Sequence, residues 1–241
     1  GSAPGIKVDT GAKVLAGSPE EKITEGLDGL GDRLSDYYAK GAKFCKWRAV
    51  ITIGDNIPSD ACIESNMNAL ARYASLCQEN NLVPIVEPEV LINGDHSIET
   101  CNEVTRRSLK SLFNNLDMLN VYLPGTVLKP SMVISGQENQ SRADRNTVAS
   151  MTLECLQDCV PELTAGIAFL SGGQTDEEAE THLNIINNQT NLPWRVTFSY
   201  ARAIQAAALA SWGGNDENIK KSQEILFDRA SKCSMASVGS L

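Results

Sequence analysis

The chain has 241 residues, with 21 Lys and Arg against 30 Asp and Glu, a formal net charge of −9 at pH 7. That balance excludes a surface built to neutralise nucleic-acid phosphates or to sit on anionic lipid, since both need clustered Lys and Arg, so neither a nucleic-acid nor a membrane partner is expected. Hydrophobic residues at 42% and charged residues at 21% describe a globular mixture rather than a disordered chain, and no apolar run reaches the ~18 residues of a membrane span.

Taken in chain order, short apolar runs alternate with longer amphipathic stretches. Residues 5–9 (GIKVD) read as a strand and 27–39 as a helix; a strand at 43–51 (KFCKWRAVI) precedes a helix at 59–79, introduced by Pro58-Ser59. The next strand, 82–88, leads to a helix at 97–118; the segment 125–130 (GTVLKP) is a strand, and a helix follows near 144–158. Residues 166–170 run through Ser171-Gly172-Gly173 into an acidic helix from 175, and 194–200 (WRVTFSY) is a strand followed by helices at 202–211 and 215–232. Strands alternating with helices mean βαβ units and a parallel sheet, which is either a barrel or an open doubly wound sheet.

The polar residues favour the barrel. Residues i and i+2 of a strand point the same way. Lys7 and Asp9, Lys46 and Arg48, and Glu87 and Glu89 are such pairs, Lys129 interrupts an apolar strand, and Ser171 and Ser199 close two more. Each lies toward the C-terminal end of its strand. A doubly wound sheet gathers its site at one switch point, whereas a barrel brings all its strand ends to one mouth.

Lys129 is the first candidate for chemistry. A Lys in an apolar strand is costly unless paired or neutral, and burial beside other cations frees the amine as a nucleophile. Such an amine condenses with a ketone to an iminium, an electron sink that lets a carbon–carbon bond break; Glu87 or Glu89 can shuttle the protons. A structural ion pair is the other reading of Lys129. Ser171-Gly172-Gly173, ahead of an acidic helix, with Arg202 beyond the next strand, is the pattern of a phosphate site after the last two strands of a barrel. Neither GxGxxG nor GxxxxGK[ST] occurs, so the usual nucleotide cradles are missing and no cofactor is expected.

The cysteines, Cys45, Cys62, Cys77, Cys101, Cys155, Cys159 and Cys233, are odd in number and scattered, without CxxC. They are expected as free thiols, mostly small core residues, in a reducing compartment, which places the chain in the cytoplasm. Cys155 and Cys159 share a helix face but have no His or further Cys near them in sequence, so no metal site is expected. His96, in a turn, and His182, in a polar helix, are both expected at the surface.

The segments GIKVD, KFCKWRAV, ARYASLCQENNLVPIVEPEV, GTVLKPSM, FLSGGQTDEEA and FSYAR, with ASWGG and a final helix, resemble class I fructose-bisphosphate aldolase in order and spacing across nearly the whole chain. The resemblance implies an α/β fold, a (βα)8 TIM barrel of which strands three to eight are present, with residues 1–241 as a single, N-terminally incomplete barrel domain. It implies Schiff-base cleavage of fructose 1,6-bisphosphate into dihydroxyacetone phosphate and glyceraldehyde 3-phosphate. By motif, Lys129 is then the Schiff-base lysine, Glu87 the general acid/base with Glu89 as its partner, and Lys46 an aid to proton transfer. Lys7, Asp9 and Arg48 are charged neighbours in the pocket, and Ser171, Gly172, Gly173, Ser199 and Arg202 hold phosphate. The resemblance also implies a phosphorylated sugar substrate, a homo-oligomer, commonly a tetramer, and it admits a cytoskeletal partner.

Three departures from the family accompany it. Ala201 stands where Gly usually precedes the arginine, and its β-carbon crowds a phosphate held by backbone N–H. Cys45 replaces a smaller Ala. The family's first two strands and its C-terminal tail have no counterpart, so residues 1–241 alone are expected to be neither stable nor active, because six strands do not close an eight-stranded barrel. A binding or scaffold protein without turnover, and a Schiff-base aldolase for another sugar phosphate, are the competing functions.

Overall fold

The computed structural model describes residues 1–189 and 191–241. It opens with β1 (Gly5–Lys7), a hairpin of β2 (Gly11–Leu15) and β3 (Ser18–Glu25), and α1 (Leu30–Ala39). There follow β4 (Phe44–Ile51), α2 (Asp60–Glu79), β5 (Val83–Val90), α3 (Ile98–Met118), β6 (Val127–Leu128) and α4 (Arg145–Cys159). The last part holds β7 (Gly166–Phe169), α5 (Asp176–Asn187), β8 (Val196–Phe198), α6 (Arg202–Trp212) and α7 (Ile219–Ala236).

Among the described residues six strands form one sheet in the order β1-β4-β5-β6-β7-β8, each parallel to the next. Sequential parallel strands joined by helices are the wall of a (βα) barrel, so the expected class and its six strands are present, with β1 and β8 outermost. Helices α2, α3 and α4 begin where short polar side chains accept the first free N–H groups: Ser59 from Cys62, Ser97 from Thr100, and Asp144 from Asn146 and Thr147. Thr175 and Glu178 form a reciprocal capping box at α5.

Alternation along β4 separates core from site. Cys45, Trp47, Ala49 and Ile51 are buried, with the Trp47 ring 5.6 Å from that of Tyr73 on α2. Lys46 and Arg48 therefore project from the opposite face, into the barrel. Strand β6 is shorter than its apolar run because Lys129 is followed by Pro130, which has no N–H for a ladder. All seven cysteines are free and buried.

Two features correct the sequence-based expectations. Residues 10–26, which carry no clear periodicity, form the antiparallel β2–β3 hairpin. Leu15 packs on the core, and polar contacts tie the hairpin down further: Glu21 accepts from Ser59 N–H at 2.8 Å and Ser59 Oγ at 2.6 Å, and Thr24 Oγ1 donates to the Arg48 carbonyl at 2.8 Å. The histidines are not surface residues. His182 lies on the same face of α5 as buried Ala179, Leu183 and Ile186 and is 3% exposed, and His96 is buried at 9%. The polar composition of α5 hides that its His shares the inward stripe.

Candidate active site

Register determines which charges meet. In the β4–β5 ladder Lys46 lies opposite Ile85 and Arg48 opposite Glu87, so Glu87 and Glu89 stand two residues further along on the same face as those partners. The resulting diagonal pairs are Lys46 with Glu87 and Arg48 with Glu89. On the other side Leu128 lies opposite Val86, and the Lys129 N–H donates to the Val86 carbonyl at 2.8 Å. Lys129 therefore stands beside Glu87, and its Nζ is 3.0 Å from Glu87 Oε1. One carboxylate thus bridges two ammonium groups on neighbouring strands. Glu87 and Lys129 are 3% and 7% exposed, so each of these buried charges has an opposite charge in contact, as burial requires.

The Arg48–Glu89 pair stands one step further along the strands. Hydrogen bonding to Glu89 raises the Arg48 pKa, against the opposing effect of burial. Asp9, just past β1, accepts from the Arg48 backbone N–H at 3.2 Å and from Gly11 N–H at 3.1 Å, and its carboxylate also holds Lys7. Asp9 and the Thr24 hydroxyl thus fix the two peptide groups of Arg48, a role for Thr24 that no sequence motif signals.

Arg48 and Glu89 also line a cleft of about 140 Å³ with Asn93, Gln137, Gly172, Gly173 and Arg202. Gly172 and Gly173 have φ values of 57° and 86°, the left-handed region that favours glycine. A β-carbon on them would lie 2.8 Å from Leu170 Cδ1 and 2.9 Å from Ile92 Cγ2 respectively. Arg202, at the start of α6, is exposed. Ser171 and Ser199 do not line this cleft. Ser171 is buried, with its carbonyl accepting from Gln174 N–H at 3.0 Å, and the Ser199 N–H donates to the Phe169 carbonyl at 2.8 Å.

Asn93 and Gln137 are cleft residues that sequence reasoning missed. They come from two loops zipped together by Gln137 N–H to Ile92 O at 2.8 Å, Gly136 N–H to His96 O at 2.8 Å and Glu138 N–H to Gly94 O at 2.9 Å. The zipper needs Gly136, since a β-carbon there would stand 2.3 Å from the Gly94 carbonyl oxygen. A lone glycine between apolar and polar segments is the one signal the sequence offers.

The cluster sits deeper than the expected strand ends, since Lys46 is the third residue of β4 and Glu87 the fifth of β5, and only Lys129 lies just past its strand. A parallel α/β wall with such a lysine–carboxylate cluster on its inner face, next to a glycine- and arginine-lined cleft, defines a barrel enzyme site. The family model of class-I fructose-bisphosphate aldolase matches residues 1–241. The chain is 55% identical over 240 residues to the probable fructose-bisphosphate aldolase class 1 of Xanthomonas campestris pv. campestris, covering 99% of this chain and 72% of that protein. It is 49% identical to fructose-bisphosphate aldolase 4, cytosolic, of Arabidopsis thaliana, covering 99% of this chain and 61% of that one. A solved structure of fructose-bisphosphate aldolase from Plasmodium falciparum, in complex with TRAP and a small molecule inhibitor, matches with a TM-score of 0.96 at 46% identity, over 99% of this chain and 69% of that chain. The chain belongs to the class-I fructose-bisphosphate aldolase family, whose members are lyases. Among the described residues no helix is long and apolar enough to cross a membrane.

Proposed function

We propose that residues 1–241, read as a single, N-terminally incomplete aldolase-type barrel domain, carry the Schiff-base site with which the full-length protein cleaves fructose 1,6-bisphosphate, with Lys129 as the nucleophile. The observation that carries this reading is the Lys46–Glu87–Lys129 bridge, with Glu87 3.0 Å from the Lys129 amine. Glu87 takes the amine's proton as Lys129 attacks the ketone carbon, and returns it as the carbinolamine loses water to give the iminium. A carboxylate, Glu87 or Glu89, then removes the proton of the hydroxyl on the far side of the bond to be broken. The bond's electron pair moves into the iminium to form an enamine, and glyceraldehyde 3-phosphate leaves as the aldehyde. Protonation of the enamine and hydrolysis of the iminium release dihydroxyacetone phosphate and restore Lys129. Lys46, on the other oxygen of Glu87, keeps that carboxylate aimed and assists its proton transfers.

Phosphate falls to the cleft of Gly172, Gly173 and Arg202, where glycine N–H groups and a guanidinium suit an anion. Ser171 and Ser199 set the backbone of that cleft, Arg48 lines it, and Asp9 with Lys7 stand behind Arg48 as charged neighbours in the pocket. We assign the chain a cytoplasmic place and a homo-oligomeric, tetrameric assembly, with a cytoskeletal partner as a further reading. No metal and no organic cofactor enters the steps above. The test is cleavage of fructose 1,6-bisphosphate by the full-length protein that contains residues 1–241, followed through both triose phosphates; residues 1–241 alone are expected not to cleave it. Cleavage that survives Lys129→Met would remove Lys129 from the nucleophile's role.

A further inference from the structure

Nothing in the mechanism above uses His182, although it is 3% exposed on α5 and lies near the glycine cleft. Its Nδ1 is 2.6 Å from Gln174 Oε1. Gln174 in turn spends two donors on one acceptor: its backbone N–H and its side-chain Nε2 both reach the Ser171 carbonyl, at 3.0 Å and 3.1 Å. The loop Ser171–Gln174 is thereby closed on itself, with Gly172 and Gly173 at its tip in left-handed conformations. Its entry is fixed as well, since Leu170 N–H donates to the Pro130 carbonyl at 3.1 Å, one residue beyond Lys129. Among the described residues neither glycine N–H is taken by another backbone carbonyl.

The donors and acceptors settle the direction of the relay. Gln174 Nε2 donates to Ser171, so Oε1 is the amide's acceptor and the His182 Nδ1 must carry a hydrogen. The ring is held neutral because burial lowers its pKa to about 4, against Glu178, which favours the charged form, while Arg145 and Arg142 disfavour it. A neutral imidazole has one N–H, and here Gln174 takes it.

We propose that His182 is a positioning residue of the phosphate cleft, acting through Gln174 on the Ser171 carbonyl to hold the Gly172 and Gly173 N–H groups in place beside Arg202. This rests on the reading of that cleft as the phosphate site. Its signature is a loss of binding without a matching loss of chemistry, because the relay touches the loop and not the Lys129–Glu87 cluster.

The test compares His182→Leu and His182→Asn in the full-length protein. It measures KM and kcat for fructose 1,6-bisphosphate, and by calorimetry the Kd of a hexitol bisphosphate, which has the phosphates but no ketone. His182→Leu removes the donor and is expected to raise KM and Kd together by about five- to tenfold, the size of one lost buried hydrogen bond, with kcat within about twofold. His182→Asn keeps an N–H donor near the Nδ1 position and is expected to restore most of the loss. Gln174→Met provides a second route should His182→Leu fail to fold. It should raise Kd similarly, and adding His182→Asn to it should change nothing further.

A folded His182→Leu with unchanged KM and Kd would overturn the proposal. So would a fall in kcat alone, His182→Asn as damaged as His182→Leu, or a Gln174→Met protein that binds normally. Arg202→Ala, measured alongside, separates the two levels. If Arg202→Ala weakens the hexitol bisphosphate and His182→Leu does not, the relay is wrong and the cleft stands. If Arg202→Ala leaves Kd unchanged, the cleft is not the phosphate site and the relay falls with it.

Discussion

From β4 to β6, Lys46, Arg48, Glu87, Glu89 and Lys129 all have an opposite charge in contact. From β7 to β8, Arg202 has no carboxylate partner among the described residues and stands exposed at the start of α6. In the first region four of the five stand on two eight-residue strands in unbroken register, and Lys129, which follows the two-residue β6, is placed against them by its N–H to the Val86 carbonyl. The second rests on strands of four and three residues and on a loop whose two glycines need left-handed backbone. The long β4–β5 pair fixes Glu87 and its partners closely enough for proton transfer with Lys129, hydrogen-bonded to β5, and such transfer fails over a small displacement. Short strands and an uncovered cation leave donors for an anion that arrives from solution. Chemistry and binding are thus divided between two kinds of backbone, and Arg48–Glu89, which borders both, is the joint.

Substitutions in each region should break this division differently. Lys129→Met keeps the linear apolar stem but removes the nucleophile, and is expected to lower kcat/KM by at least about ten-thousandfold with folding nearly intact. Circular dichroism and a triose-phosphate assay check the two halves of that statement. Glu87→Gln removes the carboxylate shared by Lys46 and Lys129 and is expected to lower kcat by about 10²–10⁴-fold, the range for a lost general acid/base. Single-turnover kinetics would place that loss in the covalent steps. A Glu87→Gln protein within about twofold of normal turnover would mean that the bridge is only structural.

The third prediction concerns acid. Burial lowers the His182 pKa from its ordinary 6.5 to about 4, so between those values the unfolded chain binds a proton that the folded chain does not. The stability that the neutral ring contributes is complete above about pH 6.5 and is lost as pH falls toward 4, by at most about 3 kcal/mol. His96 is shifted in the same direction, also by burial. The melting temperature should therefore fall more steeply between pH 6.5 and 4 than in His182→Asn, which has no titrating ring at that position. Parallel slopes in the two proteins would contradict it. The smallest effect belongs to Arg202→Ala, expected to raise KM for fructose 1,6-bisphosphate by about tenfold through a lost charge-assisted hydrogen bond, with a lesser fall in kcat. Loss of kcat at unchanged KM would move Arg202 out of the binding region.

Strand and helix order was legible in the sequence because apolar runs of period two alternate with capped amphipathic stretches. Lys46, Arg48, Glu87 and Glu89 were legible because charges two apart in an apolar strand must share a face. The β2–β3 hairpin was not, since Glu21 and Thr24 are held by hydrogen bonds to Ser59 and Arg48 and polar anchoring leaves no hydrophobic period. The burial of His182 is hidden for a related reason: it shares the inward stripe of α5 with Ala179, Leu183 and Ile186, and its polar ring is satisfied there by a hydrogen bond to a glutamine eight residues earlier, a contact that composition does not report. Asn93 and Gln137 reach the cleft through a pairing of two loops, whose register depends on the missing side chain of Gly136. Ser199, named by motif, is placed through its backbone, whose N–H donates to the Phe169 carbonyl.

The Schiff base is tested most directly by trapping it. Borohydride added to the full-length protein with dihydroxyacetone phosphate should reduce the iminium to a stable secondary amine, and peptide mass spectrometry should find the added three-carbon phosphate on Lys129, absent in Lys129→Met. An adduct on another lysine, or none in a preparation that cleaves fructose 1,6-bisphosphate, would contradict the assignment of Lys129.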